Sequence, residues 1–218
     1  MILAIETTEK FGSAALLNNK TVLAEVALPK DRRSSQTLNA AIAQIFSQTS
    51  TKPANVDTVA VVIGPGSFTG LRVGVTAAKV FAYSTGAKIV AVTTFEAVKH
   101  SANESIGIDA QRNEVVVSTN NAPATMMSVN EWFKQREYFP GIVFTGPALE
   151  RYAAKAPPDA VLAAERDWFP KAFIAGQIAA ERIERQQFDD VFSLLPIYSR
   201  LSAAEERLAR DLSETCTE

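Results

Sequence analysis

The sequence predicts an α/β protein of two lobes, each a mixed β-sheet covered by helices, with the second lobe the smaller. Three observations carry that expectation. Three short apolar runs at the N-terminus follow one another across tight polar joints, as in an antiparallel meander. Beyond them, strand-like runs alternate with segments of helical spacing, the pattern of a sheet that gains parallel strands and covering helices. From about residue 105 the same texture repeats more weakly.

Residues 2–8 (ILAIETT), 12–17 (GSAALL) and 21–28 (TVLAEVAL) read as the first three strands. Glu9, Lys10 and Phe11 form one joint, and Asn18, Asn19 and Lys20 the other. A polar connection leads to a helix with Ser34 or Ser35 as its N-cap and Leu38, Ile42, Ile45 and Phe46 at helical spacing. Pro53 closes that region. Residues 57–63 (DTVAVVI) are almost wholly apolar, which suits a strand buried on both faces. A glycine loop then opens a helix that runs to Gly86, a C-terminal stop. Residues 88–92 (KIVAV) make the next strand, and Thr94 caps a short helix through His100.

A domain boundary is expected near residues 102–105, dividing the chain into 1–104 and 105–218. In the second part, 105–109 and 114–119 flank Ala110, Gln111, Arg112 and Asn113 as a hairpin. Ser128 caps a helix through Glu137, 142–144 is a strand, and Gly146 with Pro147 opens a helix through Ala154. A strand at 160–164 and a long helix over 170–187 follow. Residues 194–200 (LLPIYSR) lie extended, and a helix of mixed charge over 203–212 is expected to return toward the first lobe.

Composition removes several function classes. The chain has 218 residues, 47% of them hydrophobic, and a net charge of −2, so no basic footprint for nucleic acid stands out. The single cysteine, Cys216, excludes an intramolecular disulfide and fits a reducing compartment. Residues 1–5 lack the basic start of a signal peptide, and no apolar run approaches the ~18 residues of a membrane span, so a cytoplasmic protein is expected. The single histidine, His100, excludes any metal site built on two histidines of one chain, and with it most zinc hydrolase sites. No metal, no cofactor and no catalytic residue is expected.

The loop GPGSFTGLR at 64–72 is not a P-loop, because Leu71 and Arg72 stand where lysine and a hydroxyl residue belong. Gly64, Gly66, Ser67 and Thr69 nevertheless start a helix, where an oxyanion binds well; ordinary tight turns use glycine too. Glu6, Thr7 and Thr8 end the first strand, a pattern that holds a phosphate or hydrated Mg²⁺ but also closes many hairpins. Asp109 to Arg112 reads equally as a site acid or as a turn with an internal ion pair. Gly70, Gly74, Ala78, Ala82 and Gly86 recur every fourth residue and leave one stripe of the helix almost bare. Glycine inside a helix costs about 1 kcal/mol against alanine, so Gly74 needs a compensating close approach. The stripe faces either the chain's own sheet or a partner helix, with Val73, Ala77 and Val80 on the neighbouring face. No G-x-S-x-G elbow is present, and His100 beside Lys99 reads as a favourable helix-end charge.

Taken together, ILAIETT at 2–8, GPGSFTGLRVG at 64–74 and IDAQRNEV at 108–115 resemble the TsaB (YeaZ) family, and TGPALERY at 145–152 and LPIYSR at 195–200 are similar to its later landmarks. The resemblance covers nearly the whole chain and is strongest over 57–100. It implies the actin/hexokinase-like (ASKHA) fold with a reduced second lobe. It also implies a non-catalytic scaffold or activating subunit for threonylcarbamoylation of adenosine 37 in tRNA. The implied partner is a TsaD-like subunit, with a TsaE-like ATPase joining the complex, a homodimer when alone, tRNA met only through the complex, and no membrane. Partner binding through the two first-lobe helices implies a surface at Leu38, Ala41, Ile42, Gly70, Gly74, Ala78 and Ala82. The loop becomes a vestigial anion site at Glu6, Thr7, Thr8, Gly64, Gly66, Ser67 and Thr69. The histidine pair that holds metal in TsaD has no counterpart near Arg33, Ser34, Ser35 and Gln36, which also counts against a metallopeptidase. Ser199 departs from the aliphatic residue common in the family. The competing reading is an ASKHA-type nucleotide-binding phosphotransferase or ATPase.

Overall fold

The computed structural model describes residues 1–10, 12–29, 31–98 and 101–200. Lys99, His100 and the helix expected over 203–212 lie outside them, as does Phe11 of the first joint.

The meander forms as its alternation dictates: β1 (Ile2–Glu6), β2 (Ser13–Asn18) and β3 (Thr21–Ala27) pair antiparallel. Helix α1 (Ser34–Thr49) leads to β4 (Thr58–Val62), and helix α2 (Phe68–Thr85) leads to β5 (Lys88–Val92). Both of these strands are parallel to β1, giving the order β3-β2-β1-β4-β5. Gly86 ends α2 in the left-handed conformation at φ 74°. At α1, however, Arg33 is the N-cap and Ser34 is already helical, with no side-chain capping bond. A five-residue helix α3 (Thr94–Val98) follows β5.

The second lobe repeats this plan. Strands β6 (Glu104–Asp109), β7 (Glu114–Thr119) and β8 (Thr125–Ser128) are antiparallel, while β9 (Val143–Thr145) and β10 (Val161–Leu162) join parallel, in the order β10-β9-β6-β7-β8. The hairpin turn places Gln111, Arg112 and Asn113 at positive φ. Strand β8 was not expected; its exposed, Met-containing four residues carry no alternation. Ser128 caps α4 (Val129–Lys134) in a box with Glu131, and α5 (Leu149–Tyr152) is a single turn.

The lobes differ in their layers. Leu3, Ile5, Val59, Val61 and Ile89 pack under α1 and α2, while their neighbours Ile2, Ala4, Ala60, Val62 and Val90 pack under a last helix, α6 (Ala172–Glu184). The first sheet is thus covered on both faces, and α6 belongs by packing to the first lobe although the sequence division places it in the second. In the second lobe one face packs around Trp132, Phe144 and Tyr152. Gly107 makes room for Trp132, whose Nε1 donates to Ser105 Oγ at 2.8 Å. Among the described residues no helix is long and apolar enough to cross a membrane.

The bare stripe of α2 faces inward. Gly70, Gly74, Ala78 and Ala82 are buried against the chain's own sheet, and Leu38 and Ala41 of α1 share the same core. A side chain added at Gly74 would place its Cβ 2.2 Å from Thr7 Oγ1, and one at Gly70 would meet Thr7 O at 1.9 Å. These six positions therefore do not form a partner surface in this fold, and only Ile42 of the expected set is partly exposed. The close approach that compensates Gly74 is to β1.

Gly74→Ala is accordingly expected to cost about 1–3 kcal/mol by overpacking, several degrees in Tm, and Gly74→Leu to prevent stable folding. Thr76→Leu, at an exposed position of the same helix, should stay within about 0.5 kcal/mol of the parent. Melting curves by circular dichroism decide; a Gly74→Ala protein that melts like the parent would show that the seat is loose.

Candidate functional site

The end of β1 and the start of α2 meet where the lobes face each other. Thr7 Oγ1 donates to Gly70 O at 2.7 Å, and Ser67 N donates to Thr8 O at 2.7 Å, so the glycine loop is tied to the strand end. Ser67 Oγ accepts from Gly70 N at 3.3 Å, and Ser67 O from Leu71 N at 2.8 Å. The amides of Ser67, Gly70 and Leu71 are thereby paired within the chain.

A cleft of about 1090 Å³ opens in front of this junction, lined by Lys10, Arg32, Arg33 and Arg112 and by Glu9 and Asp109. Thr7, Gly66, Ser67 and Thr69 of the expected anion site line it as well. Glu6, Thr8 and Gly64 do not. The Glu6 carboxyl is fully buried and its Oε1 accepts from Thr8 Oγ1 at 2.6 Å; the Gly64 backbone faces Ile197 O instead. The cations of the cleft were not singled out from sequence, because arginines scattered at 32, 33 and 112 show no run or spacing. Asp109 accepts from Gln111 N at 2.8 Å and from Tyr152 Oη at 3.1 Å, and it pairs with Arg151 at 3.3 Å across two elements. Among the described residues no three His, Cys, Asp or Glu side chains are placed to hold a metal ion.

Burial controls the acids here. It pushes Glu6 up to about 7 against the bonds from Thr8, and Glu6 Oε2 has no hydrogen-bond partner among the described residues. Burial, then the charges of Glu6, Glu150 and Asp109, push Glu9 up to about 8. Burial thus moves both carboxyls toward neutrality, where a buried acid is costly to charge.

A second surface lies on the outer side of α2. Val80 is 62% exposed and Tyr83 73%, and beside them the chain after α6 presents Phe192 at 73% and Leu195 at 71%. The rings of Tyr83 and Phe192 meet edge to face at 5.9 Å. Lys79 Nζ holds this segment to α2 through Phe192 O at 2.9 Å and Leu194 O at 3.1 Å. Val73 and Ala77 sit half-buried at its margin. Of the two directions left open by the sequence, the small residues take the one toward the chain's own sheet, and Val80 points out.

Glu6 gives the fold a pH signature. The folded chain keeps its proton up to about pH 7, whereas the unfolded chain releases it near 4.5. Stability from this group is complete below the lower value and is lost as pH rises through the window, a change on the order of 3 kcal/mol. Glu6→Gln is expected to flatten that slope in urea titrations between about pH 5 and pH 8. Equal slopes for the two proteins would clear Glu6 of the effect.

A family model described as "TsaD: tRNA N6-adenosine threonylcarbamoyltransferase" matches residues 21–177. The tRNA threonylcarbamoyladenosine biosynthesis protein TsaB of Bacillus subtilis is 33% identical over 119 residues, 52% of each chain. That of Haemophilus influenzae is 30% identical over 145 residues, 62% of this chain and 60% of its own. The chain thus matches about half to three-fifths of these relatives' length. A Pseudomonas aeruginosa protein with similarity to peptidase YEAZ superposes with a TM-score of 0.75 at 20% identity, over 91% of this chain and 99% of that one. YeaZ from the same organism gives 0.72 at 19% identity, over 90% and 98%. At such identity the structures speak for the fold, a two-lobed ASKHA-like α/β fold. On the family model and the curated relatives together, the chain belongs to the TsaB/YeaZ family and carries a TsaD-like domain.

Proposed function

We propose that this chain is a non-catalytic subunit in the synthesis of threonylcarbamoyladenosine at position 37 of tRNA, and that it binds and supports a TsaD-like partner. The observation that carries this reading is the apolar surface of Val80, Tyr83, Phe192 and Leu195 on the first lobe. Exposed aromatic and aliphatic side chains grouped in this way are the usual centre of a protein interface. The strand end supports the non-catalytic half of the reading, because the Glu6 carboxyl is buried and taken up by the amide and hydroxyl of Thr8. A TsaE-like ATPase then joins the pair, and the isolated chain dimerises through the same surface. Contact with tRNA comes through the complex, in the cytoplasm.

A second reading, an ASKHA-type nucleotide-binding phosphotransferase or ATPase, rests on the size and the cations of the cleft. It lacks a carboxylate free to hold a metal at the strand end, since Glu6 is buried.

Two measurements separate these. Light scattering after size exclusion should find a complex with the TsaD-like protein of the same organism, and Val80→Glu or Tyr83→Glu should weaken it at least tenfold without loss of fold. No complex with the parent chain would sink the proposal. Titration with ATP by calorimetry should give no saturable heat, and saturable heat with hydrolysis would restore the phosphotransferase reading.

A further inference from the structure

The segment after α6 adds Leu194 to the core of the first lobe and then goes on to reach the second. Asp189 starts it at the edge of the first sheet: its amide donates to Ile89 O at 3.0 Å, and its carboxylate accepts from Ala91 N at 2.8 Å. It then runs along α2, held by the two Lys79 bonds, with Phe192 against Tyr83 and Leu194 buried beneath. Ile197 N donates to Ile63 O at 2.7 Å beside the glycine loop. Tyr198 stacks on Phe68 at 4.6 Å between ring centres and accepts from Arg72 Nε at 3.3 Å. Arg200 finally crosses to the second lobe and pairs with Glu114 of β7.

This path divides the space between the lobes. Tyr198 and Ser199 line the cationic cleft on one side and, on the other, a cavity of about 740 Å³ whose far wall is Ile106, Val116, Ser118 and Met126 of the second sheet. The crossing is the weak link. Arg200 and Glu114 are partly exposed, and Arg200 Nε is buried with no hydrogen-bond partner among the described residues. A partly exposed pair of this kind biases a two-state equilibrium by only about two- to fivefold.

We propose that residues 189–200 are a strap that couples the Tyr83–Phe192 surface to the spacing of the lobes. Anchors on α2 set the tension of the segment, and the Arg200–Glu114 clasp transmits it to β7. A partner seated on Phe192 and Leu195 thereby holds the clasp closed, and closure of the clasp in turn favours that partner by the same factor. The partner half of this statement rests on the function proposed above; the coupling itself is a property of the isolated chain and is tested there.

Spin labels on Asn39→Cys of α1 and Lys134→Cys of α4, in a Cys216→Ser background, report the distance between the lobes by pulsed electron resonance. Glu114→Gln should raise the share of the longer distances about two- to fivefold. Lys79→Met should shift the distribution in the same direction although the Lys79 bonds reach the strap beside α2 and not Arg200 or β7, and Lys79→Arg should restore it. Should Lys79→Met fail to fold, Phe192→Ala, at a solvent-exposed side chain, takes its place. A response to Glu114→Gln with none to the α2-side variant would reduce the clasp to a local ion pair and overturn the coupling. No response to either would overturn the strap altogether. Neither result depends on whether a TsaD-like partner binds.

Discussion

The seat of α2 on Thr7 is the contact from which the rest of the molecule is arranged. Two positions on the helix, Gly70 and Gly74, have no room for a side chain because the end of β1 lies against them. The helix therefore approaches the sheet more closely than ordinary side-chain packing permits, and Thr7 Oγ1 answers the Gly70 carbonyl at that depth. Rotation and depth of the helix are fixed together. Once the bare stripe is committed to the sheet, Val80 and Tyr83 point away from it, and Lys79 is left where it can hold the returning chain.

The same seat decides what becomes of the glycine loop. A helix start that binds a phosphate needs free amides and space before them. Here Ser67 N is turned to Thr8 O and Gly66 lies so close to Thr8 that a Cβ would fall 2.7 Å from its carbonyl. The loop is closed down onto the strand. Glu6 then loses access to water, and its carboxyl takes up a proton rather than a counter-ion, since an unpaired buried carboxylate is far more costly than a neutral acid. What remains is a cleft lined by cations, over acids whose pKa burial has raised.

Most of the fold was legible because periodicity and punctuation agree. The almost wholly apolar run at 57–63 became β4, buried between β1 and β5, and Gly86 stopped α2 where its freedom at positive φ is used. The bare stripe was equally visible, yet its direction was not. Spacing says that something approaches a glycine helix closely, and it says nothing about whether that neighbour is Thr7 of the same chain or a second protein. The cations of the cleft were hidden for a related reason. Lys10, Arg32, Arg33 and Arg112 come from three separate loops and are gathered by topology alone.

The repeated strand order makes the difference between the lobes informative. Both sheets follow one plan, but α6 returns to the first and so leaves the second with a single helical layer. The other face, with Ile106, Val116 and Met126, is turned toward the first lobe and lines a cavity with it. Among the described residues Lys10 and Glu150 also meet across the lobes, as an exposed ion pair at 3.7 Å. The contact that spans the gap after the return of α6 is a short extended segment ending on a partly exposed ion pair. The reduction of the second lobe and the importance of that segment are therefore one fact: a helix spent on closing the first core is a helix withheld from holding the two lobes together.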